Sequence, residues 1–187
     1  MKASPTPIAD LFVIEPNVFE DDRGYFMESF KAEWFTANVA PVHFVQDNES
    51  QSSRGVLRGL HFQTGEFAQA KLVRVLQGEV LDVAVDLRQN SPTFGQHFSI
   101  HLSGSNKKQL FIPRGFAHGF VVLSETAVFN YKVDNVYSKA HEDGILYNDQ
   151  ELAINWLLPS TDILLSEKDA ELPTFHAWKA RAAHLNI

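Results

Sequence analysis

The sequence predicts a mainly β protein, a sandwich or jelly-roll barrel carrying only a few short helices, and three observations lead there. Val, Leu, Ile and 15 Phe fall in short bursts between Gly, Asn, Ser and Pro, the residues of turns. Within the bursts, apolar and polar residues alternate with period two, most cleanly as Val80, Asp82, Ala84 and Asp86 against Leu81, Val83, Val85 and Leu87. The bursts recur about every ten residues, without the longer helical segments that a βα alternation needs.

Taken in chain order, Ser29 caps a predicted short helix over residues 30–39, with Glu33 in its first turns. Residues 70–88 read as two strands joined at Gln77-Gly78, a hairpin with one buried face. The turn cluster NSPTFGQ (90–96) precedes a strand at 97–102, and after SGSNKK another strand ends at Pro113. A second hairpin is expected from 118–124 and 127–133, turning at Glu125-Thr126. Residues 174–185 form a C-terminal helix. With no repeat, linker or low-complexity tract, the 187 residues are expected to make one domain, residues 1–187.

Composition excludes several classes. A net charge of −7 argues against non-specific nucleic-acid binding, so an anionic ligand would need a local cluster of Arg and Lys. No apolar run approaches the roughly 18 residues of a membrane helix, and MKASPTPIAD lacks the apolar stretch of a secretion signal. A soluble, cytoplasmic protein without membrane partners is the expectation. The absence of cysteine removes disulfides, thiolate metal sites and a Cys nucleophile.

The residues able to carry chemistry stand in apolar surroundings. In GVLRGLHFQ (55–63), His61 follows Arg58 by three residues. The guanidinium never deprotonates and is costly to bury unpaired. His61 reads either as a hydrogen-bonded strand-end histidine or as a group facing a barrel mouth. Lys71, in QAKLVRV, has no adjacent acid and either snorkels to the rim or is kept for an electrophilic role. Tyr131 fits core packing as well as a site. Asp169 is a solvated loop acid unless it stands behind an imidazole, where it would fix the tautomer. Arg23, after two acids, reads as a surface ion pair. PRGFAH (113–118) has the P-x-G-x-x-H spacing of the second half of the cupin metal motif. The first half needs a pair of histidines, but Phe62 and Gln63 follow His61. A three-histidine metal site is therefore not expected, and His118 is read as a turn-closing residue or as a neutral donor to a ligand oxygen.

DDRGYFMESF (21–30), FVQDNESQSSRGVLRGLHFQ (44–63), QAKLVRVLQGEVLDVAVDLRQNSPTFGQ (69–96), LFIPRGFAHGF (110–120) and LSEKD (165–169) together closely resemble the dTDP-4-dehydrorhamnose 3,5-epimerase family, in order and across nearly the whole chain. The resemblance implies a cupin-type jelly-roll β-barrel, a homodimer, no metal or other cofactor, and a dTDP-linked 4-keto-6-deoxyhexose as substrate. It further implies His61 as the base, Asp169 as its orienting carboxylate, Lys71 as the cation on the enolate oxygen and Tyr131 as the acid. Arg58 and Arg23 match diphosphate contacts; Glu28, Gln46 and Asn48 match polar contacts to the nucleotide, and Tyr137 the ring that stacks on thymine. His118 matches a sugar-side hydrogen-bonding residue, and Glu142 and Lys168 weaker ligand contacts. The N-terminal strand is expected to reach into the partner, carrying Phe26 and Glu28 to its site. Tyr147, where the family usually has Trp, and Asp143 depart from the pattern on what is taken as the nucleotide side. Inversion at one carbon only, on a related 4-keto sugar, is the alternative activity. A non-catalytic sugar-binding cupin or a metal-dependent cupin oxygenase is a more distant one.

Overall fold

The computed structural model describes residues 1–182. In chain order the strands are β1 (Lys2–Pro5), β2 (Phe12–Glu15), β3 (Val18–Asp21), β4 (Gly24–Met27), β5 (Gln46–Ser53), β6 (Leu57–Gln63), β7 (Lys71–Gln77), β8 (Glu79–Asp86), β9 (His97–Ser103), β10 (Gln109–Ile112), β11 (Phe116–Val122), β12 (Thr126–Val133) and β13 (Glu142–Gly144). The helices are α1 (Ala32–Asn38), α2 (Glu167–Ala170) and α3 (Phe175–Ala182). A six-stranded sheet runs β1-β2-β10-β7-β12-β5 and a five-stranded sheet β13-β6-β11-β8-β9, while among the described residues β3 and β4 pair only with each other. The mainly β expectation holds, although the two large sheets stay separate ladders and do not close into one.

Three apolar layers organise these sheets. Val73, Val75, Leu110, Ile112 and Phe129 of the six-stranded sheet meet Val80, Ala84, Leu102, Phe116 and Val122 of the five-stranded one between them. Behind the five-stranded sheet, Leu60, Phe62, Leu81, Val83 and Val85 are covered by the C-terminal segment through Tyr147, Trp156, Phe175 and Trp178. Behind the six-stranded sheet, Ile14, Leu72 and Phe111 are covered by Phe35 of α1. At about 25 cal/mol per Å² of apolar surface, these layers supply most of the driving force for folding.

Both expected hairpins are overturned. β7 and β8 lie in opposite sheets, and so do β11 and β12. Gly78 is a corner at φ +78°, where a Cβ would lie 2.0 Å from the carbonyl oxygen of Thr126, at the other corner. A glycine turn between alternating strands looks the same in sequence whether the chain folds back beside itself or crosses to the facing sheet. For the same reason β8 has two buried faces, not one: Val80 and Ala84 look between the sheets, and Leu81, Val83 and Val85 look behind.

The helices differ in detail from expectation. Lys31, not Ser29, precedes α1, without a side-chain cap. Ser29 lends its backbone oxygen to Gln109 Nε2 at 2.7 Å. The C-terminal helix is α3, and the remainder of the expected span, 183–185, lies outside the described residues. Asp169 is no loop acid: it sits in α2, 4% exposed.

Candidate active site

A cavity of about 470 Å³ opens between the sheets and is bordered by Arg58, His61, Lys71, His118, Tyr131, Lys168 and Asp169. Strand register explains most of this grouping. β12 pairs Tyr131 with Val73 of β7 and Asn48 of β5, so the side chains of Tyr131, Asn48 and Val73 share one face of the six-stranded sheet. Lys71, two residues before Val73, lies on that face too, opposite Val133. On the facing sheet β11 pairs His118 with His61 of β6 and with Ala84 of β8.

Arg58 and His61 would point to opposite faces of a regular strand, because the period is two. The β6–β11 register slips between His118 and Phe120, bringing Phe120 opposite Arg58 and His118 opposite His61. Gly59 allows the slip: its φ is +130°, and a Cβ there would come 2.5 Å from the Cα of Gly119. The extra residue turns both polar side chains into the same cavity. Arg58 Nε donates to Ser52 Oγ at 3.2 Å, leaving most of the guanidinium fork unused by the described residues.

His61 Nε2 lies 2.5 Å from Asp169 Oδ1, and Ser166 Oγ accepts the Asp169 amide hydrogen at 3.1 Å. Burial pushes the Asp169 carboxyl up, but hydrogen bonds from His61, Ser166 and the Gly59 amide and the His61 charge outweigh it and hold it below the usual carboxylate range. A carboxylate fixed there selects the tautomer with a proton on Nε2 and frees Nδ1 to accept one. On the opposite wall, burial raises the Tyr131 phenol, and the Arg58 charge only partly offsets it. Burial lowers the Lys71 ammonium to about 8 against the attraction of Asp82 and Glu142. Burial likewise lowers His118 below the ordinary imidazole range, although Asp82 pulls the other way.

At the rim, Lys168 Nζ meets Glu142 Oε2 at 2.5 Å, and Tyr137 Oη donates to the same oxygen at 2.7 Å. Tyr137 is exposed, its ring free to be covered. Gln46 Nε2 donates to Asn48 Oδ1 at 2.7 Å on β5, beside Tyr131. Arg23 and Phe26 are not brought to the cavity of their own chain. They sit on the β3–β4 ribbon, and Glu28 follows it. Arg23, nine-tenths exposed, pairs with Asp21 at 2.5 Å as a surface ion pair would. Tyr147 and Asp143 do not line this cavity, contrary to the expected nucleotide side: Tyr147 packs in the layer behind the five-stranded sheet and takes the Trp156 indole N–H on its carbonyl, and Asp143 pairs with Arg181 of α3. Among the described residues, no three His, Asp or Glu side chains are arranged to hold a metal ion.

Two features went unseen in the sequence. Phe120 and Phe129 stack at 4.1 Å between ring centroids and line the cavity floor. Asp82, in the middle of β8, is fully buried and accepts from His118 Nε2 at 2.9 Å, so a neutral His118 uses its one N–H inside the protein and offers a ligand Nδ1 as an acceptor. The signal for Asp82 was an acid on the inner face of a strand whose outer face is uniformly apolar.

Comparison with known proteins identifies the family. The family model for dTDP-4-dehydrorhamnose 3,5-epimerase matches residues 5–177. The chain is 54% identical over 170 residues to a dTDP-4-dehydrorhamnose 3,5-epimerase of Shigella flexneri, covering 90% of this chain and 93% of that protein. The crystal structure of the enzyme of that name from Elizabethkingia anophelis NUHP1 superposes with a TM-score of 0.89 at 56% identity, over 95% of this chain and 97% of that one. The structure of dTDP-6-deoxy-D-glucose-3,5-epimerase from Legionella pneumophila Philadelphia 1, in complex with dTDP-4-keto-L-rhamnose, superposes at 0.92 with 48% identity, over 96% and 95%. With its paired His61 and Asp169 facing Tyr131 across the cavity and likeness along nearly its whole length, the chain belongs to the dTDP-4-dehydrorhamnose 3,5-epimerase family.

Proposed function

We propose that the chain inverts C3 and C5 of dTDP-4-dehydro-6-deoxy-D-glucose to give dTDP-4-dehydro-L-rhamnose, in the cytoplasmic synthesis of dTDP-L-rhamnose. The observation that carries this reading is the placement of a buttressed imidazole and a protonated phenol on opposite walls of one cavity. The 4-ketone acidifies the hydrogens on C3 and C5. His61 Nδ1 takes such a proton from one face, with Asp169 stabilising the imidazolium that results. The electron pair passes to the ketone oxygen, where the Lys71 ammonium meets the developing negative charge in a site drier than water. Tyr131 delivers a proton to the carbon from the other face, and the ketone re-forms. One proton leaves and one returns at each centre, so the chemistry needs no electron carrier.

Binding is assigned by charge and shape. Arg58 holds the diphosphate, which a chain of net charge −7 can attract only through such local cations. Tyr137 stacks on thymine, Gln46 and Asn48 meet the nucleotide, His118 faces the sugar, and Glu142 and Lys168 close the rim. The two facing sheets, with strands that cross from one to the other at the corners, form one cupin jelly-roll domain. Two copies form a homodimer in which the β3–β4 ribbon enters the partner, since Phe19, Tyr25 and Phe26 are left more than half exposed on a ribbon that no other strand among the described residues joins. Arg23, Phe26 and Glu28 then serve the neighbouring cavity, Arg23 on the diphosphate.

Proton NMR with dTDP-4-dehydro-6-deoxy-D-glucose in deuterated water tests the reading. Deuterium entering at both C3 and C5, with dTDP-L-rhamnose trapped by a reductase, is the expected result. Exchange at one carbon would make the protein a mono-epimerase, and exchange at neither would overturn the assignment.

A further inference from the structure

Among the described residues, Arg58 is the one arginine that borders the cavity, and it is held unlike most of the others. Arg23, Arg88, Arg114 and Arg181 each pair with an aspartate, which orients the guanidinium and cancels its charge. Arg58 has no such pair among the described residues. Of the acids that border the cavity, Asp169 is engaged by His61, and Glu49 forms no ion pair with Arg58. The Arg58 Nε donates instead to a neutral hydroxyl, Ser52 Oγ, at 3.2 Å.

Strand register places Ser52 for this contact. β5 is an edge of the six-stranded sheet, and β12 pairs its Asn48 with Tyr131, Ser50 with Phe129 and Ser52 with Ala127. A period of two puts these three polar side chains on the face that meets the cavity. Burial agrees, since Ser52 is 8% exposed while Gln51 and Ser53 on either side are exposed. Beside Ala127, packing alone would suit an alanine here as well as a serine. The hydroxyl has Arg58 as its only hydrogen-bond partner among the described residues, and their bond ties the edge of one sheet to β6 of the other. It fixes the inner nitrogen of the guanidinium and leaves Nη1 and Nη2 unengaged by the described residues. A neutral acceptor thus orients the planar fork without spending its charge.

We infer that Ser52 is a positioning residue for anion binding, whose hydroxyl aims Arg58 so that both terminal nitrogens meet the diphosphate with the positive charge intact. This rests on the proposed role of Arg58 at the diphosphate. Gly59 admits the side chain to the cavity, and Ser52 sets where it points.

Binding of dTDP, followed through protein amide shifts in NMR, reads affinity into the millimolar range without turnover. Wild type, Ser52→Ala, Arg58→Ala and the double variant close a mutant cycle. Ser52→Ala is expected to raise the Kd for dTDP by about 3- to 10-fold, the scale of one hydrogen bond. In turnover it should raise KM with kcat held, the pattern of lost ground-state binding. In the Arg58→Ala background the same change should move Kd by less than about twofold, because the group through which Ser52 acts is gone.

A Kd unmoved by Ser52→Ala, or an equal rise in both backgrounds, would reduce Ser52 to a packing residue and overturn the inference. If Arg58→Ala binds dTDP as tightly as wild type, the diphosphate role of Arg58 fails first and the inference falls with it. If circular dichroism shows Ser52→Ala unfolded, Ser52→Cys, close in volume and a weak acceptor, replaces it in the same cycle. The epimerase assignment is judged separately, by wild-type deuterium exchange.

Discussion

Along β7 the side chain of Lys71 enters the cavity while Val73 and Val75, on the same face, fill the dry layer; along β11 His118 does the former and Phe116 and Val122 the latter. One pair of sheets thus builds a wet end and a dry end from the same strands, with the same backbone alternation. The dry end returns free energy for every methylene buried, whereas the wet end spends it on Lys71 and His118, which burial disfavours as ions. Stability and chemistry are divided along the strands and not between them, so substitutions a few residues apart should have opposite signatures.

The sharpest test of that division is His61→Ala, which removes the proposed base. Losing general-base catalysis should lower deuterium exchange by about 10²–10⁴-fold while the melting temperature stays close to wild type. A large loss of stability instead would mean that the wet end also holds the fold. From the dry end, Leu110→Ala should cost about 2–5 kcal/mol in urea unfolding because it opens a cavity between the sheets, with kcat unchanged in the folded protein. Tyr131→Phe comes next. A loss of about a hundredfold, or release of a singly inverted sugar, with dTDP binding retained, is expected from a proton donor. Undiminished double inversion would take Tyr131 out of that role. The smallest effect belongs to Arg23→Ala. Stability should change by no more than about 0.5 kcal/mol, since the residue is exposed, and KM should rise a few-fold with kcat held, the pattern of lost ground-state binding. An unchanged KM would leave the ribbon without a place in a neighbouring cavity.

Much of this was legible beforehand, for reasons that differ from residue to residue. Period-two alternation located β7, β8, β9 and β12 to within a residue or two, because a pleated strand between layers must alternate. The quoted motifs singled out Arg58, His61, Lys71, His118 and Asp169, the family resemblance added Tyr131, and the fold brings all six to one cavity. What alternation cannot show is the sheet a strand joins, since Gln77-Gly78 serves a corner as well as a hairpin. Nor could it separate buried from half-buried faces: Asp82 looked like the polar side of an exposed strand until the facing sheet covered it. The pairing of His61 with Asp169 spans 108 residues, a separation at which local pattern carries no information.

The corner at Gly78 also bears on how the chain reaches its native state. Because β7 crosses to β8, and β11 to β12, few ladders join neighbours in sequence; β1–β2, β3–β4 and β8–β9 do, whereas β5–β12 and β6–β11 join distant segments. Much of the loop-closure entropy must be lost before the stacked layers begin to compensate, so refolding should take milliseconds to seconds, as in other β-rich domains of non-local topology. The β8–β9 ladder, long and local, is the natural place for the barrier to be crossed, and Val83→Ala there should slow stopped-flow refolding while His61→Ala leaves the rate alone. Refolding in microseconds, or equal slowing by both, would rule that order out. The cavity would then be the last part of the molecule to exist, assembled only when strands that began far apart have already found their places.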